Sequence, residues 1–115
     1  MVVWQKSMAL VAEIYKLSKS LPTDETYGLT SQMRRCAVSI PSNIAEGYGR
    51  NSTSDYVRFL RIAMGSLYEL QTQLEISLDL KYLKADDFKR FYESSREVER
   101  MLSSLTRRLN TKDGD

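Results

Sequence analysis

Residues 29–49 read LTSQMRRCAVSIPSNIAEGYG, and the placing of apolar side chains in this stretch decides the fold. Leu29, Met33, Cys36, Ile40 and Ile44 recur every third or fourth position, the period of a helix face turned toward a core. Arg35, Ser39, Ser42 and Glu46 form a separate polar stripe. Ala37, Val38, Pro41 and Ala45 make a third stripe, apolar and short in side chain. Small side chains let another backbone come close, so this helix reads as packed on two sides. A lone bundle needs only one such side. The third stripe is therefore the expected contact between copies of the chain.

Pro41 falls inside the helical pattern. A proline there removes the partner of the Ala37 carbonyl and disfavours helical geometry at Ile40. Either the helix kinks or a new one starts at Pro41; a kink is the expected outcome, because no turn residues intervene and the apolar stripe runs on to Ile44. Thr30 or Ser31 is the expected cap at its start, and Gly47 the expected left-handed glycine at its end. Asn43, just past the proline, is expected to bond backbone groups opened by the kink.

Outside this stretch, three further helical patterns account for almost all of the chain. Toward the N-terminus, positions 3–20 carry two seams: Trp4, Met8, Val11 and Tyr15, then Leu10, Ile14, Leu17 and Leu21. Together they are wider than the roughly 100° stripe that one core requires, a second sign of surface buried beyond the single chain. Leu21-Pro22-Thr23-Asp24 ends this helix, and Thr23 or Asp24 can cap the next turn. Beyond residue 49, Ser54 before Asp55 is the expected cap of a helix over 54–80, whose seam is Tyr56, Leu60, Ala63, Leu67, Leu70 and Leu74. Arg58, Arg61, Gly65, Glu69 and Thr72 fall on the other side. A fourth helix over 85–109 begins with Asp86 and Asp87, acids that complement its dipole, and carries Phe88, Phe91, Ser95, Val98, Leu102, Leu105 and Leu109 inward. The tail from Asn110 is expected to fray. The predicted fold class is all-α: one domain over residues 1–115, an antiparallel up-and-down four-helix bundle.

Composition narrows the chemistry. The chain has no histidine, so the usual acid/base group at neutral pH and the commonest metal ligand are both missing. One cysteine cannot form an internal disulfide, which fits a reducing compartment. No apolar run is long enough to span a bilayer and no leader opens the chain, so a cytoplasmic protein is expected. A net charge of +2 is weakly basic, and any affinity for a polyanion must come from local clustering.

The segments GLTSQMRRCAVSIPSNIAEGYGR (residues 28–50), FLRIAMGSLYELQTQL (59–74) and VWQKSM (3–8) together resemble the 23S ribosomal RNA intervening-sequence proteins. The likeness runs from about Trp4 to Leu105. It implies a small up-and-down bundle that assembles as a homopentameric ring. Some relatives are accessory factors of diversity-generating retroelements, in which a basic barrel binds nucleic acid and a reverse transcriptase.

Cys36 lies on the inward stripe, with no histidine to activate it, and reads as packing. Glu13, Glu46, Glu69 and Glu75 lie off the main seams and lack the Glu-x-x-His pattern of a bundle di-iron site, so no metal or other cofactor is expected. Gly47-Tyr48-Gly49-Arg50 lacks the spacing of a phosphate loop. Arg34, Arg35, Arg50, Arg58 and Arg61 are the candidate nucleic-acid contacts, a band that a ring would repeat around its axis. The alternative for them is pairing at helical spacing, Glu46 with Arg50 and Asp55 with Arg58. The expected protein is a non-catalytic, self-assembling adaptor for RNA or a nucleic-acid-processing protein; the alternative is a protein scaffold without nucleic acid.

Overall fold

A computed structural model describes residues 1–114, with side chains as far as Thr111. Four helices succeed one another: α1 (Val2–Ser18), α2 (Leu29–Tyr48), α3 (Thr53–Asp79) and α4 (Ala85–Gly114), with a single 3-10 turn at Thr23–Glu25 between α1 and α2. Among the described residues there is no strand, and no helix is long and apolar enough to cross a membrane. The body measures 49 × 24 × 19 Å. Its long axis fits α4, whose 30 residues span about 45 Å at 1.5 Å per residue.

The helix ends show which local signals won. Ser52, not Ser54, caps α3: its Oγ accepts the Asp55 backbone N–H at 3.1 Å. Neither Thr30 nor Ser31 caps α2. Glu25 reaches forward and accepts the Leu29 N–H on Oε1 at 3.1 Å. Thr23 and Asp24 likewise sit inside the 3-10 turn, which starts from Pro22 without a side-chain cap. The end of α3 is a Schellman turn: the Tyr82 N–H returns to the Ser77 carbonyl at 2.8 Å and the Lys81 N–H to Leu78 at 2.9 Å. Lys81 occupies the left-handed position with φ 63°, where glycine is usual. The fourth helix continues through Asn110 to Gly114, because no breaker precedes that glycine; Asp115, the remainder of the expected frayed tail, lies outside the described residues.

Gly47 corrects the sequence reading most sharply. It does not close α2 in a left-handed conformation; among the described residues no glycine has positive φ, and the helix runs on to Tyr48 with Gly49 at its cap. Gly47 is buried against α3. A Cβ there would stand 2.8 Å from Phe59 Cβ and 3.2 Å from the Tyr56 carbonyl oxygen. The missing side chain is used for close helix approach.

Each helix buries the seam that its spacing announces. Leu10, Ile14 and Leu17 from α1 meet Met33, Ile40 and Ile44 from α2, Leu60, Leu67, Leu70 and Leu74 from α3, and Val98 and Leu102 from α4 in one core. Each such side chain contributes roughly 1.5–3 kcal/mol when removed from water. The helices touch in a closed order, α1 on α2, α2 on α3, α3 on α4 and α4 back on α1. Across α2 and α3 the polar contacts run Met33 to Ser77, Cys36 to Gln73 and Glu69, Ser39 to Ser66. Buried Ser7, Ser18, Ser77 and Ser95 each return their hydroxyl to a carbonyl of their own helix.

Candidate nucleic-acid interface

The five arginines do not form one cluster. Arg34 and Arg35 stand on α2 more than three turns before its end, Arg50 and Arg58 flank the α2–α3 connection, and Arg61 lies about two turns into α3. Thirteen residues of helix from Arg35 to Tyr48 put about 20 Å between Arg35 and the connection that Arg50 and Arg58 flank. Adjacent numbers along α2 hid this distance.

Arg34 is already committed. Its Nε donates to Ser18 Oγ at 2.7 Å, and its guanidinium lies 4.8 Å from the centre of the Tyr15 ring. It ties α2 to α1. Arg35 is exposed and borders a groove of about 580 Å³ between α2 and α3, together with Gln32, Ser39, Ser66 and Thr72. Arg50 and Arg58 lie 4.7 and 4.6 Å from the centre of the same Phe59 ring. Both also take the expected local partners: Arg50 with Glu46 at 3.5 Å, and Arg58 with Asp55 at 3.7 Å. These pairs are exposed and worth only a few tenths of a kcal/mol to about 1 kcal/mol, so a phosphate can displace them. Arg61 is exposed on α3 with no ion pair among the described residues.

In the same α2–α3 groove, the Cys36 thiol donates to Glu69 Oε2, and Gln73 Nε2 donates to Cys36 Sγ at 3.4 Å. Burial, then the Glu69 bond, pushes this thiol from 9.0 up to about 11. It is held as a protonated donor, the reverse of what a nucleophile needs. The four glutamates considered as a cluster are dispersed: Glu13 lies in a cleft between α1 and α4, Glu46 pairs with Arg50, Glu69 holds Cys36, and Glu75 is exposed. Asn43 does not serve the carbonyl that Pro41 strands. Its Nδ2 donates to the Ser39 carbonyl at 2.8 Å and to Ser39 Oγ at 3.0 Å.

The third stripe of α2 divides. Ala37 is fully enclosed in the chain's own core, because α2 is turned slightly further inward than an even three-way division of its faces implies. It cannot line a contact between copies. Pro41 is likewise buried, whereas Val38 and Ala45 are exposed; the three line a shallow groove of about 330 Å³ with Trp4, Met8 and Val11 of α1. Trp4, Met8 and Val38 keep 37, 45 and 41% of their surface open. The outer seam of α1 thus joins the outer stripe of α2 in one uncovered apolar strip, with Tyr15 extending it.

Sequence reasoning passed over a further cleft, at the end of the bundle where α1 starts and α4 finishes. It holds about 650 Å³ and is lined by Val2, Val3, Tyr48, Tyr56, Arg100, Met101, Ser104, Leu105 and Arg108, with Met1. The recurrence of Arg100, Ser104 and Arg108 every fourth residue was the available signal.

A search of curated proteins finds no match to this chain. Among solved structures, the chain is similar to a protein of unknown function from the S23 ribosomal protein family of Bacteroides thetaiotaomicron VPI-5482. The two share 26% identity with a TM-score of 0.86, covering 92% of this chain and 96% of that one. The family model described as 23S rRNA-intervening sequence protein matches residues 1–104, nine-tenths of the sequence. The chain belongs to the 23S rRNA-intervening sequence protein family.

Proposed function

We propose that this protein is a non-catalytic adaptor that assembles with copies of itself and binds RNA, or a protein already carrying RNA, through a basic surface repeated by the assembly. One observation carries the reading: the uncovered strip of Trp4, Met8, Val11, Val38 and Ala45. A single chain of net charge +2 is a poor polyanion binder. Copies joined through that strip would bring Arg35, Arg50, Arg58 and Arg61 around one axis. A ring of five, as the family resemblance implies, is the arrangement we favour. The reference to ribosomal RNA in the family's name agrees with the partner class.

Within each copy we infer an up-and-down bundle. The falling partner numbers from Ser77 to Ser66 as α2 rises from Met33 to Ser39 support antiparallel α2 and α3. The Ala37 carbonyl, denied its donor by Pro41, supports a bend in α2. The protonated Cys36 supports a non-catalytic role, and a single cysteine, unable to form an internal disulfide, is in keeping with a reducing, cytoplasmic setting.

The test joins sedimentation with titration of a generic RNA at rising salt. Expected are an oligomeric mass and an affinity that falls linearly on a log–log salt plot. A stable single-chain mass, or binding indifferent to salt, would remove the proposal. The pairing of Arg50 with Glu46 and Arg58 with Asp55 favours the second reading, a scaffold that binds protein alone. A partner that stays bound after nuclease treatment would select it.

A further inference from the structure

The cleft at the end of the bundle brings flat aromatic surface and cations together in a way the outer arginines do not. Tyr48 leaves 69% of its surface open. Tyr56 meets it edge to face, ring centres 6.1 Å apart and planes at 81°, and its hydroxyl donates to Met1 Sδ at 3.8 Å. Tyr56 is thus braced, while the ring of Tyr48 stays largely open to solvent. Met101 and Leu105 supply an apolar floor, and Arg100 and Arg108 the rim. Among the described residues no carboxylate lines the cleft, and the acids beside Arg100 on α4 are engaged elsewhere, Glu97 by Lys6 at 2.9 Å and Glu99 by Arg96 at 3.3 Å. Among the described residues neither Arg100 nor Arg108 is in an ion pair.

We propose that this cleft binds single-stranded nucleic acid, a base stacking on the open face of Tyr48 while Arg100 and Arg108 hold backbone phosphates. The chemistry is that of stacking platforms beside cations, which suits unpaired bases because every base has a π-face. A duplex hides those faces. An acidic peptide would satisfy the arginines and leave the aromatic wall unused. The two arginines are eight residues apart, about 12 Å along α4, so they can engage two phosphates of one strand. The volume of about 650 Å³ lies within the roughly 300–1,000 Å³ of ligand pockets. Arg50 and Arg58, bracketing Phe59 at the same end, offer a path for the strand to leave by. The inference rests on the nucleic-acid reading above and gives it a location and a strand preference.

Fluorescence anisotropy of the full chain with a labelled oligouridylate, and with a labelled RNA duplex of equal length, tests it. The expected order is single strand tighter than duplex. Tyr48→Ala should weaken single-strand binding roughly 5- to 150-fold, the range for losing one stacked base. Tyr48→Phe keeps the ring and should bind like the parent. Replacing Arg100 and Arg108 together by alanine should lower the salt slope by about 1.4, two contacts at about 0.7 each. The site is overturned if the parent binds RNA while these variants are unaffected and Arg50→Ala with Arg58→Ala carries the loss; RNA binding itself then stands. Equal or tighter binding of the duplex also overturns it. If the parent binds no RNA at all, the wider reading falls and takes this one with it. Tyr48 and both arginines are exposed, and circular dichroism of each variant verifies the fold before binding is compared.

Discussion

Two glycines in long helices offer the same chemical change with opposite consequences. Replacing a mid-helix glycine by alanine contributes about 1 kcal/mol of helix stability through reduced backbone entropy in the unfolded chain. At Gly65, exposed on α3, an added Cβ meets nothing within 4 Å, so that gain should appear in full. At Gly47 the added Cβ would sit 2.8 Å from Phe59 Cβ, 3.0 Å from Tyr56 Cδ1 and 3.2 Å from the Tyr56 carbonyl oxygen. Phe59 Cβ and a carbonyl are fixed to the backbone and cannot swing aside, so α2 and α3 must part. Overpacking of this kind costs about 1–3 kcal/mol. Gly47 is the penultimate residue of α2, where the helix gain is smaller, so the net for Gly47→Ala is a loss of up to about 3 kcal/mol, against a gain of about 1 kcal/mol for Gly65→Ala. Thermal unfolding followed at 222 nm, at one fixed protein concentration, should move the midpoint down for the first and up by roughly 4 °C for the second. Equal upward shifts for the two variants would show that α2 and α3 do not approach closely at Gly47, and the account of its role would be wrong.

Lys81→Gly should raise stability by about 1 kcal/mol in urea unfolding, because the left-handed φ of 63° strains any residue with a Cβ. Val38→Glu or Ala45→Arg should reduce the sedimenting mass while leaving helix content intact. Ala37→Leu, by contrast, should lower stability by about 1–3 kcal/mol from inside the core. The folded Cys36 thiol titrates higher than a free one, so its stabilising contribution is full below pH 9 and declines as pH rises through about 11. Comparing the alkaline unfolding of the parent with that of Cys36→Ala should expose this slope as the difference between two curves.

The sequence carried the helices well because each core seam is long and regular. Along the Tyr56-to-Leu74 and Phe88-to-Leu109 seams the middle residues are buried, while Tyr56, Phe88, Leu105 and Leu109 near the ends are half-buried. It also carried the excess width of α1: the seam of Trp4, Met8 and Tyr15 lies outside the core, while Leu10, Ile14 and Leu17 lie within it. What it concealed depends on neighbours distant along the chain. Gly47 resembled a terminator because local rules place glycine after a helix, and only the rings of Tyr56 and Phe59 reveal another use. Ser52 and Ser54 are equally good caps by type, and the choice depends on where the chain leaves Gly49. The arginines looked clustered because sequence spacing ignores helical rise. The cleft of Tyr48, Arg100 and Arg108 joins residues more than fifty positions apart, a juxtaposition that only the closed order of helices creates.

The apolar outer strip has a thermodynamic consequence, because it belongs to the same α1 whose other side completes the core. A docked copy would grip α1 only in its folded form, so its binding free energy would add to that of folding. Each tenfold increase in the docking species, well above its dissociation constant, would then contribute about 1.4 kcal/mol. Dilution alone would then act as a denaturant.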